Sequence, residues 1–329
     1  MPSEATIDDF RALADRVRNW GRWGEDDELG TLNLIAPEHV ARAASLVRRG
    51  RVFSLGVNLD TGGPQGGMPI RVNTQHFVSI GGDYDRLKEH VDGLDLASPN
   101  FMRAFYDTTI TRINDDWIFM PTHAATQWDA LSHVYYESEL YNGYPAASVT
   151  SFGARFLGIE KAARTGIVGR GVLVDVARHR GVRWLEYGEP IEPAELDEIL
   201  AAQGAGVGAG DILLVRTGSW ERFVAEGTAD SPCSGLSWRC AAWLHEHEVA
   251  AVAADNLQVE SDGTEIEGVT LALHCLCLRD MGMMLGEYWD LAELADDCAA
   301  DGRYEFQLIA PPLRISGGIG SPLNPIAIK

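Results

Sequence analysis

Short apolar runs alternate with amphipathic stretches along most of the chain. GVLVDVA (171–177), GDILLVRTG (210–218) and AAVAAD (250–255) are apolar almost without a break, the pattern of strands buried on both faces. RVFSLGVNL (51–59) and YEFQLIAP (304–311) also read as strands. Between them lie helical patterns. PEHVARAASLVRRG (37–50) and PAELDEILAAQG (193–204) each carry a proline in the first turn and a glycine stop. WRCAAWLHEHEVA (238–250) and DLAELADDCAADG (290–302) are helical by the same spacing. TGGPQGGMP (61–69) is a loop on its glycine and proline content. This mixture predicts an α/β or α+β fold. No internal repeat appears, and no linker divides the chain, so residues 1–329 are expected to form a single domain.

The length of 329 residues and a hydrophobic content of 46% are enough for a sizeable core. No apolar run reaches about 18 residues, so no membrane span is expected. MPSEATIDDF has no apolar signal region, and a cytoplasmic location is expected. With 27 basic and 48 acidic residues the net charge is −21, which argues against nucleic-acid and anionic-membrane partners. The five cysteines (Cys233, Cys240, Cys275, Cys277, Cys298) have no zinc-knuckle spacing and are expected to be reduced thiols. Glycine-rich nucleotide motifs and the G-x-S-x-G nucleophile elbow are absent from the sequence.

The chemistry concentrates in FMPTHAATQWDALSHVYY (119–136). His123, Gln127, Asp129 and His133 fall there as H-x3-Q-x-D-x3-H. Imidazole and carboxylate suit zinc or manganese, while an amide oxygen is a weaker, neutral ligand. In one straight strand His123 and Asp129 would stand about 20 Å apart. On a helix Asp129 would point away from His123 and Gln127. A shared ion therefore requires the backbone to bend, which we expect between Thr126 and Asp129. A hydrogen-bonded network in a buried turn is the alternative reading of the same residues. His133, with an ordinary pKa near 6.5, suits a general base. Trp117, Phe119, Trp128, Tyr135 and Tyr136 crowd the run and suit a planar substrate. Of these, Trp128 and Trp117 are taken as pocket residues, together with His76, which alternates on a possible strand in NTQHFVSI (73–80).

The run resembles the signature H-x-G-T-H-x-D-x-P-x-H of the cyclase-type metal-dependent hydrolases, which include kynurenine formamidases, isatin hydrolases and trans-dienelactone hydrolases. His123, Thr126, Asp129 and His133 match it. Ala125 replaces the glycine, Gln127 the second histidine and Leu131 the proline. RWGEDDELGTLNLI (22–35), GDILLVRTG (210–218), His274 followed by GMMLGE (282–287), and GSPLNPIAIK (320–329) extend the resemblance over almost the whole chain. It implies a compact α/β domain with a swivelling β/β/α, barrel-like central sheet, in a homodimer or higher homo-oligomer. It also implies a divalent ion, Zn or Mn, held by His123, Gln127 and Asp129. His133 would be the acid or base, and His274 and Glu287 would complete the site or hold a second ion.

The activity so implied is hydrolysis of a small lactone or cyclic amide, or of an aryl formamide. Gln127 resembles the trans-dienelactone hydrolase branch and tilts the expectation toward a cyclic ester. Two other classes stay open at this stage. One is a biosynthetic cyclase or dehydratase that uses the ion to polarise a carbonyl. The other is a small-molecule binder in which Gln127 marks a degraded site.

Overall fold

A computed structural model describes residues 5–65, 71–80, 110–228, 231–264 and 266–329. Residues 66–69 of the expected 61–69 loop lie outside the described residues. Eleven strands matter here: β1 (Val52–Ser54), β2 (Gln75–Ile80), β3 (Asp115–Phe119), β4 (Gln127–Asp129), β5 (Val168–Asp175), β6 (Ile212–Arg216), β7 (Ala251–Ala254), β8 (Met284–Glu287), β9 (Glu305–Ile309), β10 (Gly320–Pro322) and β11 (Ile326–Ile328). Nine of them form one curled, half-barrel sheet in the order β1-β11-β9-β5-β6-β7-β8-β4-β10. The fold is mixed α/β, as expected.

The apolar runs explain the centre of this sheet. β5, β6, β7 and β8 are parallel to one another. Parallel strands need crossover connections, and these cover their faces. Helices Pro193–Gln203, Ser219–Glu226 and Cys240–Glu246 lie in the crossovers from β5 to β6 and from β6 to β7. Val172–Val174, Ile212–Val215 and Ala251–Ala254 are accordingly fully buried. The outer strands β9, β11 and β1 on one side, and β4 and β10 on the other, pair antiparallel.

Two boundaries differ from the sequence reading. The helix expected over 37–50 runs only over Pro37–Ala44. Arg49 and Arg51 give their backbone N–H groups to the carbonyl of Lys329, which draws the chain into the sheet edge. The 171–177 run is β5 up to Asp175, whose carboxylate then caps a short helix by accepting from the Arg178 N–H at 3.2 Å. β2 and β3 form a separate two-stranded ribbon, and Phe77, Val78, Trp117, Ile118 and Phe119 on it are exposed.

Candidate metal centre

The bend lies before Gln127, not between Thr126 and Asp129. Residues 122–126 turn, 127–129 are extended as β4, and 131–133 turn again. Thr126 fixes the first turn: its hydroxyl accepts from the Val57 N–H at 2.9 Å and donates to the Tyr288 carbonyl. Gln65 donates its side-chain amide to the carbonyls of His123 and Ala124 at 3.3 and 3.2 Å. The turns bring His123 and His133 back over the strand, so that their rings stack at 4.3 Å.

Strand alternation sets the remaining directions. Gln127 and Asp129 point to one face of β4 and Trp128 to the other. Trp128 is therefore a core residue rather than the expected pocket residue. Its ring meets Trp289 edge-on at 5.0 Å and its N–H donates to the Ala310 carbonyl at 2.9 Å. Gln127 lies directly opposite Glu287 in the antiparallel β4–β8 pair, which puts both side chains on one face. Its amide donates to Glu287 Oε2 at 2.6 Å and to Asp129 Oδ1 at 3.3 Å.

Two overlapping groups of ligand atoms result, each with all atoms within 4.8 Å of one another: His123, Asp129 and His133, and Asp129, His274 and Glu287. Asp129 is common to both. Its Oδ1 stands 3.4 Å from His123 Nε2 and its Oδ2 stands 3.6 Å from His274 Nε2. His274 Nε2 is also 3.3 Å from Glu287 Oε1. By contrast, His76 and Trp117 sit on the exposed ribbon. His76 meets Asp116 at 2.6 Å and Trp117 packs on Phe77. Among the described residues neither hydrogen-bonds to or stacks on a member of the cluster.

The electrostatics follow from burial against opposite charge. Desolvation pulls His123 down to about 4, and Asp129 only partly restores it. Burial likewise lowers His133 despite Asp129, so both rings are neutral near pH 7. His274 goes the other way. Burial opposes its charge, but the nearby carboxylates of Asp129, Glu260 and Glu287 outweigh that and hold it well above its ordinary value. Asp129, although fully buried, is held low by His133, His274 and His123. Glu287 is pushed up to about 7 by burial and by its neighbour Asp129.

Does this cluster fit a cation? His123 Nε2, Gln127 Oε1 and Asp129 Oδ2 are all buried and lack a hydrogen-bond partner among the described residues. A buried unsatisfied polar atom costs about 1–3 kcal/mol, so the free atoms of His123 and Asp129, which share one ligand group, call for an electrophile. Space is kept for it as well. A Cβ on Gly320 would fall 2.3 Å from His123 Nε2. The residues fit a divalent ion.

Glu260 escaped the sequence reading. It is buried, and its Oε1 accepts from His274 Nδ1 and from the His274 backbone N–H at 3.1 Å. Its Oε2 accepts from the Leu273 N–H at 2.9 Å. This carboxylate orients the imidazole and turns Nε2 toward Asp129, the arrangement commonly found behind metal-bound histidines. Asn256 braces the approach by accepting from the Val259 N–H at 2.8 Å. Val259, Leu271 and Tyr288 all have positive φ (59°, 55° and 57°) and flank Glu260, His274 and Glu287. Such backbone costs on the order of 1–3 kcal/mol per residue and tends to collect at functional sites. The Glu260–His274 pairing spans 14 residues in no recognisable motif, so sequence offered no signal for it.

Comparison with known proteins agrees with this geometry. Residues 67–261 match the Cyclase family model. A solved structure described as a novel cyclase is 40% identical, covers 95% of this chain and 100% of its own, and superposes with a TM-score of 0.82. The isatin hydrolase A of Ralstonia solanacearum shares the fold at 17% identity, covering 89% of this chain and 95% of its own, with a TM-score of 0.60. An isatin hydrolase bound to the product analogue thioisatinate does so at 16% identity, covering 86% and 93%, with a TM-score of 0.57. No match was found among curated proteins. With more than half of its length in the family match and a 40% identical relative along its whole length, this chain belongs to the Cyclase family.

Proposed function

We propose that this protein is a divalent-metal-dependent hydrolase that opens a small lactone or cyclic amide, or cleaves an aryl formamide. The observation that carries the reading is the clustering of the ligand atoms of His123, Asp129 and His133, with His123 Nε2 and Asp129 Oδ2 buried and lacking a hydrogen-bond partner among the described residues. His274 and Glu287 stand next to them and share Asp129. A bound Zn or Mn ion would supply an acidified water and a polarised carbonyl. Similarity in fold to isatin hydrolases supports the substrate class.

The chain's own residues then divide the work. Asp129 contributes the fixed negative charge. Gln127 contributes a neutral oxygen where the related motif has an imidazole, so the site carries a weaker donor and leaves the ion a stronger Lewis acid. His133 is neutral because burial lowers it. It accepts the proton of the attacking water at a ring nitrogen and returns it to the departing oxygen or nitrogen. Glu287, hydrogen-bonded by Gln127 and facing His274, orients the ligand set. Water adds across the C–O or C–N bond, and the products are a carboxylate and an alcohol, enol or amine.

The test is acid release in a pH-stat on lactones, cyclic amides and N-formyl arylamines, with chelator-stripped and metal-reloaded protein. Metal-restored acid release supports the hydrolase. The name of the 40% identical relative favours one alternative, ring closure. That reading wins if metal binds and no substrate releases acid.

A further inference from the structure

We propose that the cavity between the 56–63 loop and the helix Ser219–Glu226 is a second binding site, for a small organic cation of the alkylammonium class. The inference does not depend on the hydrolase reading. The cavity holds about 470 Å³, a size suited to a small molecule. Its walls are held in place by backbone contacts. Gly56 bridges Trp289 in antiparallel register, the Asp290 N–H donates to the Leu55 carbonyl at 2.9 Å, and the Val57 N–H donates to Thr126. The helix follows β6 and Asp290 follows β8, so the cavity lies at the carboxyl end of the parallel strands, where α/β sheets commonly bind ligands. The candidate metal ligands lie outside its lining.

Two features of the lining choose the occupant. The first is aromatic. Trp220 and Phe223 stand one turn apart on the helix, and their rings stack at 5.1 Å with 27° between their planes. Both are half-buried, yet among the described residues neither belongs to the hydrophobic core or packs against it. Core packing therefore gives no account of them. The second feature is charge. Asp60 and Asp290 are the charged residues of the lining, and no lysine, arginine or histidine joins them there. Asp60 Oδ1 accepts from the Gly62 N–H at 2.7 Å, and Asp290 Oδ1 accepts from the Ala292 N–H at 3.3 Å. Each carboxylate is thus held by its own loop, and its Oδ2 has no hydrogen bond or ion pair among the described residues. Burial raises Asp290 above its ordinary value, and Glu221 and Glu293 add to the negative field around it. Neither aspartate joins a group of three close ligand atoms among the described residues, so the set does not suit a metal ion. A cation with an apolar body satisfies both features, since the ring faces and the carboxylates each attract it.

The experiment titrates choline, and separately its uncharged isostere 3,3-dimethylbutanol, into the purified full chain by calorimetry. Physiological salt screens loose attraction to the net charge of −21. Wild type is compared with Trp220→Leu, Asp290→Asn and Asp60→Asn, each checked for an unchanged circular dichroism spectrum. The expected result is saturable choline binding in wild type, with the isostere bound more weakly by about tenfold or more. Trp220→Leu should weaken choline by about tenfold, and each aspartate variant by a smaller factor. Asp60 lies on an exposed loop, so Asp60→Asn still reads the charge if Trp220→Leu does not fold. No saturable choline binding in wild type, equal binding of the isostere, or wild-type affinity in a folded Trp220→Leu or in both aspartate variants would overturn the proposal.

Discussion

Replacing Glu260 by glutamine tests how the centre is held together. The substitution keeps size and removes charge. In the native arrangement the carboxylate accepts three hydrogen bonds, from His274 Nδ1, from the His274 N–H and from the Leu273 N–H. Glutamine has a single oxygen and an NH2 that only donates. If the oxygen faces His274, the NH2 confronts the Leu273 N–H, and one buried donor is orphaned at about 1–3 kcal/mol. If the oxygen faces Leu273, the NH2 points at Nδ1. The imidazole then relieves the clash by carrying its proton on Nε2, the atom that faces Asp129 and Glu287. A protonated Nε2 cannot ligate. Loss of such a supporting carboxylate typically weakens metal binding about 10- to 100-fold, or about 1.4–2.7 kcal/mol, which matches the cost of the orphaned donor. Chelator competition on Glu260→Gln should therefore give a zinc dissociation constant raised by about that factor, with a modest fall in Tm. A dissociation constant within about twofold of wild type, alongside a lowered Tm, would refute the orienting role and leave Glu260 a purely structural acceptor.

Other perturbations act on single parts of the site. Gly320→Ala should reduce metal content while the sheet survives, because its Cβ would fall 2.3 Å from His123 Nε2; inductively coupled plasma measurement of metal per chain checks this. Gln127→His should tighten zinc by on the order of tenfold in the same competition assay, since imidazole is the better ligand. His133→Ala should retain metal and lose about 10²–10⁴ in kcat; a pH-stat assay that finds full turnover removes its role as proton carrier.

The helix over 193–203 was readable from its proline start and glycine stop, whereas the amphipathic helix Ile7–Val17 was missed. The buried parallel strands announced themselves as unbroken apolar runs, because both their faces are covered. Boundaries failed where tertiary contacts claimed the chain: the helix expected over 37–50 ends at Ala44, and Arg49 and Arg51 bond to the Lys329 carbonyl instead. The candidate ligands in 123–133 were legible because they are close in sequence. The place of the bend was not, since it depends on β4 being wedged between β8 and β10. Trp128 was misread for the same reason: adjacency to ligands suggested the pocket, and strand alternation sends its side chain to the core. Glu260 and Gly320 escaped notice because each acts across long stretches of sequence, through a hydrogen bond or an empty volume.

Metal stoichiometry bears most directly on the central claim. Wild-type protein and Asp129→Ala should be equilibrated with Zn or Mn, freed of excess ion and assayed for metal per chain. Asp129 belongs to both candidate ligand groups, so the account predicts at least one tightly held ion in wild type and its loss in the variant. Wild type that holds no near-stoichiometric metal, or a variant that holds as much as wild type, would contradict it.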